Sequence, residues 1–166
     1  METIAVYWEN KAKTYGFQIE RELSLFQFSV APHEMAGLGK EMFHDSSQIR
    51  FSWVLCQPST HQRLIIHVLL NQEWVPSMQK LVARTRANGM NLNLKITSPV
   101  EMVSFHGPHF GDRYGIADTA LGTLEKKGLP ILAAGCTGAS VYIIVPEQRS
   151  AETKHILSDV FDTPNE

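Results

Sequence analysis

The sequence is poor in cysteine, with Cys56 and Cys136 the only two in 166 residues. Two distant thiols make neither a disulfide framework nor a CxxC pair, which excludes a small disulfide-stapled fold and a thioredoxin-like redox site. A reducing cytoplasm is the expected location. Charge is also sparse: Asp, Glu, Lys and Arg together make 19%, and the net charge is -2. With no basic excess there are few counterions to release, so a phosphate-driven nucleic-acid binder is excluded. Long apolar runs are missing as well. Runs such as Leu64-Ile65-Ile66, Val68-Leu69-Leu70 and the stretch 141–145 fall far short of the ~20 residues that span a bilayer. The opening Met1-Glu2-Thr3-Ile4 has no cationic flank and no apolar h-region, so neither a secretory signal nor a membrane partner is expected. The phosphate-loop pattern GxxxxGK[ST] is absent too.

What is present is a globular composition. Apolar residues make 43% of the chain, which excludes intrinsic disorder. A chain of this length buries about two-thirds of its unfolded surface, enough for one domain or two small ones.

Periodicity favours two units. Residues 23–30 read as a strand, followed by a turn at Ala31-Pro32-His33-Glu34. Met35, Leu38 and Met42 then recur at helical spacing. Residues 49–55 alternate, 57–62 are a turn, and 63–70 form a mostly buried strand. Val75, Met78, Leu81 and Val82 mark a helix over 73–87, with Pro76 in its first turn and Asn88-Gly89 as its stop. Residues 91–96 alternate again. The order is βαββαβ.

The second half repeats it. Residues 100–105 read as a strand, 107–115 as a glycine-rich turn and 118–127 as a helix ended by Gly128. Strands follow over 129–134 and 139–145, then a helix over 150–160. The polar tail after Phe161 is too short for another strand, while residues 3–8 form one strand too many at the start. The spare strand is expected to complete the second unit, since an open apolar edge would invite aggregation. The expected fold is α+β: two interleaved ferredoxin-like βαββαβ units, 17–98 and 1–16 plus 99–166. Each is expected to hold an antiparallel four-stranded sheet with helices on one face.

The second unit carries a more specific likeness. Val103-Ser104-Phe105-His106-Gly107, Gly115-Ile116-Ala117, Ala120-Leu121-Gly122-Thr123-Leu124 and Lys127-Gly128-Leu129-Pro130-Ile131 resemble an ACT domain. They are most similar to the ACT pairs at the C-terminal end of aspartokinases, with the pattern VSVVG … GVAA … ALAEAGINI … TSE. Gly37-Leu38, Met42-Phe43 and Ile49 carry a fainter copy in the first unit. The resemblance covers nearly the whole chain, but not the family's catalytic half: no KxGGTS-like segment occurs.

The resemblance implies a non-catalytic regulatory module and an amino-acid effector, lysine or threonine before others. It also implies a homodimer and a kinase catalytic subunit as partners. In ACT pairs the effector lies between units, near the turn after the first strand and the facing second strand. A zwitterion needs N–H donors for its carboxylate and oxygens for its ammonium. Carried onto this sequence, the ligand-binding residues are His33, Glu34, Met35, Gly37 and Gln57 in the first unit. In the second they are Gly107, Gly111, Asp112, Gly115 and Ile116. Each has a plainer reading: the glycines close a turn, Asp112 is a solvated carboxylate, and Gln57 precedes Pro58 in a turn. Pro130 stands where the family often has Asn, and Cys136-Thr137-Gly138 where TSE aligns. Both departures favour a second reading, an ACT pair that dimerises without an effector.

No cofactor is expected, and no metal: His106 and His109 are the one close histidine pair, without the third and fourth ligands a metal wants. Cys136, in a small-residue stretch, is expected to be a buried structural thiol. Arg84 and Arg86 read as a solvated helix face. No nucleophile, acid and base occur at recognisable spacing, so an enzyme is not expected.

Overall fold

The computed structural model describes residues 10–45, 49–59 and 62–163. Residues 3–8, expected as the spare strand, lie outside them. The strands are β1 (Ala12–Lys13), β2 (Phe17–Val30), β3 (Phe51–Pro58), β4 (Leu64–Asn71), β5 (Asn93–His106), β6 (Ala133–Cys136), β7 (Ser140–Pro146) and β8 (Phe161–Asp162). The helices are α1 (Met35–Asp45), α2 (Val75–Ala87), α3 (Ile116–Lys126) and α4 (Ser150–Ser158). Six strands form one antiparallel sheet in the order β3-β4-β2-β5-β7-β6, and β1 and β8 pair separately.

By its contacts the chain divides into a central unit, Arg21–Val100, and a terminal unit, Met1–Glu20 with Glu101–Glu166. Among the described residues the sheet has six strands, and β2 and β5, each 14 residues long, contribute to both units. Two short strands, 91–96 and 100–105, are expected from the sequence. They are one continuous strand, because Pro99 does not end it.

In the central unit β4 lies between β2 and β3, antiparallel to both. Phe26, Phe28 and Val30 of β2 share a face with Ile66, Val68 and Leu70 of β4, as period-two alternation requires. Leu38, Met78, Leu81 and Val82 close over them from α1 and α2. The opposite parity, Leu23, Leu25, His67 and Leu69, is buried too. The 3-10 turn Gln72–Trp74 that leads into α2 is capped by Asn71, whose Oδ1 accepts the Glu73 N–H at 3.0 Å. The other end of α2 is tied down by cations that the sequence suggested were solvated. Arg84 pairs with Glu41 of α1 at 3.0 Å, and Arg86 donates to the Leu92 carbonyl at 3.0 and 3.2 Å. Both find acceptors on neighbouring segments, and Arg86 satisfies the loop carbonyl of Leu92.

In the terminal unit Val103 and Phe105 of β5 and Val141, Ile143 and Val145 of β7 face Ile116, Ala120, Leu124, Ile156 and Leu157 of α3 and α4. Phe105 is the centre of an aromatic group, with ring centroids 5.1 Å from Phe17, 5.7 Å from Phe110 and 5.0 Å from Phe161. The two ends of the chain meet here: β1 pairs parallel with β8, Ala12 opposite Phe161, and Thr14 N–H donates to the Asp162 carbonyl at 2.8 Å. Such a two-residue pairing has no periodicity to read in advance. β6 begins at Ala133, later than the expected 129, since Leu129 turns into the core and Pro130 supplies no N–H. Cys136 is exposed, contrary to expectation, because it ends β6 at the hairpin turn.

Candidate functional site

The five candidate residues of the first set lie in the central unit: His33 and Glu34 in one turn, Met35 and Gly37 at the start of α1, and Gln57 on β3. Pro32–Glu34 make a single 3-10 turn leading into α1. His33 is exposed there, while Glu34 and Met35 are half-buried. The Glu34 carboxylate already has two partners. Its Oε2 accepts the Ala31 N–H at 2.9 Å and its Oε1 the Asn91 N–H at 3.3 Å. Arg63 donates to the Asn91 carbonyl at 3.1 Å and to Ser29, so Asn91 is held at both its N–H and its C=O. The Ala31 N–H, ahead of Asn91, His33 and Arg63, holds the Glu34 carboxyl below its ordinary 4.5. Gly37 lies on α1 beside Met90, whose Cε would be 3.0 Å from an added Cβ. Gln57 stands apart on β3, exposed and opposite Ile65.

The second set lies in the terminal unit, in the turn between β5 and α3. Gly107 is where backbone meets backbone: a Cβ there would collide with the Lys13 carbonyl oxygen. Gly111 lies beside the Gly138 carbonyl, 3.0 Å from an added Cβ. Asp112 is exposed, its Oδ2 4.0 Å from His109 Nδ1. Gly115 is the residue before α3, at φ 85, and Ile116 points into the core. At that φ a side chain crowds the backbone. Gly115→Ala is expected to lower stability by about 1–2 kcal/mol, read as a drop in urea midpoint at unchanged slope. An unchanged midpoint would show that the turn relaxes freely.

Two buried polar groups escaped the sequence reading. Glu101, 5% exposed on β5, accepts the Ser150 N–H at 2.9 Å and so caps the start of α4. A lone carboxylate inside the apolar run 100–103 was the available signal. His67 is 6% exposed on β4, with the Trp53 ring edge-on at 6.4 Å, and among the described residues its Nδ1 has no hydrogen-bond partner. Burial pushes its imidazole below the ordinary 6.5.

The two depressed values set an acid limb. The unfolded chain takes up a proton at His67 below about 6.5 that the folded chain refuses. The stabilisation from Glu34 is present above about 4.5 and is lost as pH falls through its lower folded value. Stability is therefore expected to decline in two stages on acidification, and His67→Leu is expected to abolish the first. Denaturant midpoints at a series of pH values check this; an identical profile in the variant would contradict it. Among the described residues no group of three or more His, Cys, Asp or Glu could hold a metal ion. No helix among them is long and apolar enough to cross a membrane.

No protein-family model and no curated protein matches the chain. Solved structures do. The chain is similar to the ligand-free regulatory subunit of aspartate kinase from Thermus thermophilus, at 9% identity and TM-score 0.76, covering 90% of this chain and 99% of that one. The corresponding subunit from Thermus flavus gives 10%, 0.78, 90% and 99%. E. coli aspartokinase III in complex with lysine and aspartate gives 13% and 0.63, covering 94% of this chain but 35% of that one. At these identities the likeness is one of fold. The chain has the fold of the aspartate kinase regulatory region, which consists of ACT units, and its match includes no kinase domain.

Proposed function

We propose that the chain is a non-catalytic regulatory module of aspartokinase type that senses a free amino acid, lysine or threonine before others. The observation that carries this reading is the extent of the match: 90% of this chain superposes on 99% of a complete regulatory subunit. Two interleaved ferredoxin-like ACT units, each with a strand-to-helix turn, give the reading its architecture; the contact division into 21–100 and 1–20 plus 101–166 supports it. The bound lysine named for E. coli aspartokinase III supports the choice of effector.

The module works as a homodimer and acts on a kinase catalytic subunit. Support for self-association comes from β3, at one edge of the sheet. Its eight residues carry no charge, and Val54 is 52% exposed. Edge strands of isolated proteins are ordinarily blunted by charge. Signalling requires that the effector bind two packing states unequally; tight binding alone shifts nothing.

A second reading, a dimerising ACT pair without an effector, draws on the contacts at Gly107 and Gly111, both filled by backbone of the same chain. A thermal-shift screen of the twenty amino acids separates the two. An effector at about 100 times its dissociation constant adds ~2.7 kcal/mol, or about 5–11 °C for a chain of this length. Sensing predicts a shift of that size with at least one amino acid. Flat melting with all twenty at millimolar concentration would overturn it in favour of the second reading.

A further inference from the structure

His67 lies one strand in from an edge of the sheet. On one side β4 pairs with β2; on the other it pairs with β3, which ends the sheet. The registers set three rows across the face that His67 shares. They are Leu25, Leu69 and Trp53; Gln27, His67 and Leu55; and Ser29, Ile65 and Gln57. Period two puts these residues opposite the face that α1 and α2 cover. None of them is a carboxylate that would steady an imidazolium. Arg63, whose Nε donates to Ser29 Oγ at 2.8 Å, brings a positive charge to the end of this patch. Cys56 of β3 is opposite Ile66 and so belongs to the helix-covered face.

On the edge side β3 is what covers the ring. Leu55 is opposite His67, and the Trp53 ring stands edge-on to it with centroids 6.4 Å apart. β3 has a single strand neighbour, and its register slips between Phe51 and Trp53. An irregular edge strand opens at less cost than the strands beneath it. A charged imidazole has two N–H groups to place, and among the described residues Nδ1 is without a partner already. Burying that charge is costly, so the proton enters most cheaply when β3 lifts and water reaches the ring. A second copy of the chain seated on β3 holds the strand down and closes that route.

We propose that His67 makes self-association through β3 proton-dependent: the protonated imidazole lifts β3, and a second copy seated on β3 keeps the proton out. The opening of β3 stands on the geometry of His67 and Trp53; its effect on assembly rests on the homodimer of the proposed function. The coupling is reciprocal, since whatever binds the closed strand and excludes the proton is itself weakened by the proton.

Two measurements on the full chain test the two halves separately. Light scattering at micromolar concentration is compared at about pH 7.5 and about pH 5, on either side of the ordinary histidine value. The dimer dissociation constant is expected to rise about tenfold or more at the lower pH, because each copy takes up its own proton. His67→Leu, which carries no charge at either pH, is expected to remove the difference. A dimer indifferent to pH, or the same pH dependence in a folded His67→Leu chain, would overturn the coupling.

Hydrogen exchange on the unsubstituted protein tests the opening, whether or not the chain dimerises and whether or not the variant folds. Protection is taken relative to an unstructured chain at the same pH. At the β3 amides bonded to β4 it is expected to fall about tenfold or more from the higher pH to the lower. Dilute urea is expected to leave that exchange unchanged, the mark of a local opening. Equal protection at both pH values, or exchange that quickens with urea as global unfolding does, would overturn the opening. A chain that stays monomeric at both pH values while β3 loosens in acid removes the homodimer and its coupling and upholds the opening.

Discussion

Phe105→Ala is expected to destabilise the chain by about 3–5 kcal/mol, the range for deleting a fully buried aromatic ring. Phe105 is 1% exposed, and its ring touches three others from distant parts of the chain. Phe17 begins β2, Phe110 lies in the turn before α3, and Phe161 begins β8. Two losses add together. One is the transfer free energy of the ring; the other is the cavity, which three rings fixed by backbone cannot collapse to fill. At roughly 2–4 °C per kcal/mol for this length, the melting temperature is expected to fall by about 6–20 °C. Because Phe17 and Phe161 lose a common partner, amide protection at 12–17 and 161–162 is expected to fall before that of the central unit. A drop under about 1 kcal/mol would mean that the aromatic group is not the centre of this core.

Glu101→Ala is expected to destabilise by about 1–3 kcal/mol, through a different route. The carboxylate is buried, and removing it strands the Ser150 N–H at the start of α4 without an acceptor. An unmade bond inside a protein costs more than a made one contributes, because the donor has already left water. Glu101→Gln keeps an acceptor oxygen of the same reach and is expected to recover much of the loss. Chemical denaturation of the two variants checks this order. Equal losses for alanine and glutamine would show that charge, and not the cap, carries the effect.

Some of this architecture is plain in the sequence. Val75, Met78, Leu81 and Val82 at spacings of three, three and one define α2, and the structure places the helix over Val75–Ala87 against an expected 73–87. The apolar run from Leu64 gives β4 over Leu64–Asn71, and Ser150 opens α4 as expected. These elements are set by local periodicity. The misses are set by distant partners. β2 starts at Phe17, not 23, because Phe17 and Ile19 find the terminal unit's core, while the polar residues between 18 and 22 hide the strand. The expected strands 91–96 and 100–105 are one strand, Asn93–His106; nothing local shows that the chain stays extended between them.

The candidate site was legible to the same degree. Gly115 reads as the end of a glycine-rich turn, and its φ of 85, just before α3, fits that role. Gly107 could be read as a close-approach glycine, but what approaches it, the carbonyl of Lys13, lies at the other end of the chain. Glu34 read as a ligand residue; its carboxylate is occupied by Ala31 and Asn91, a role that only the folded loop reveals.

The most direct test of sensing through packing is light scattering on size-exclusion fractions at micromolar concentration, with and without saturating lysine or threonine. The account predicts a species of about twice the 18.7 kDa chain, with an association constant that one of the two amino acids changes by about tenfold or more. A mass that stays at one chain throughout, or a dimer indifferent to both, would contradict it.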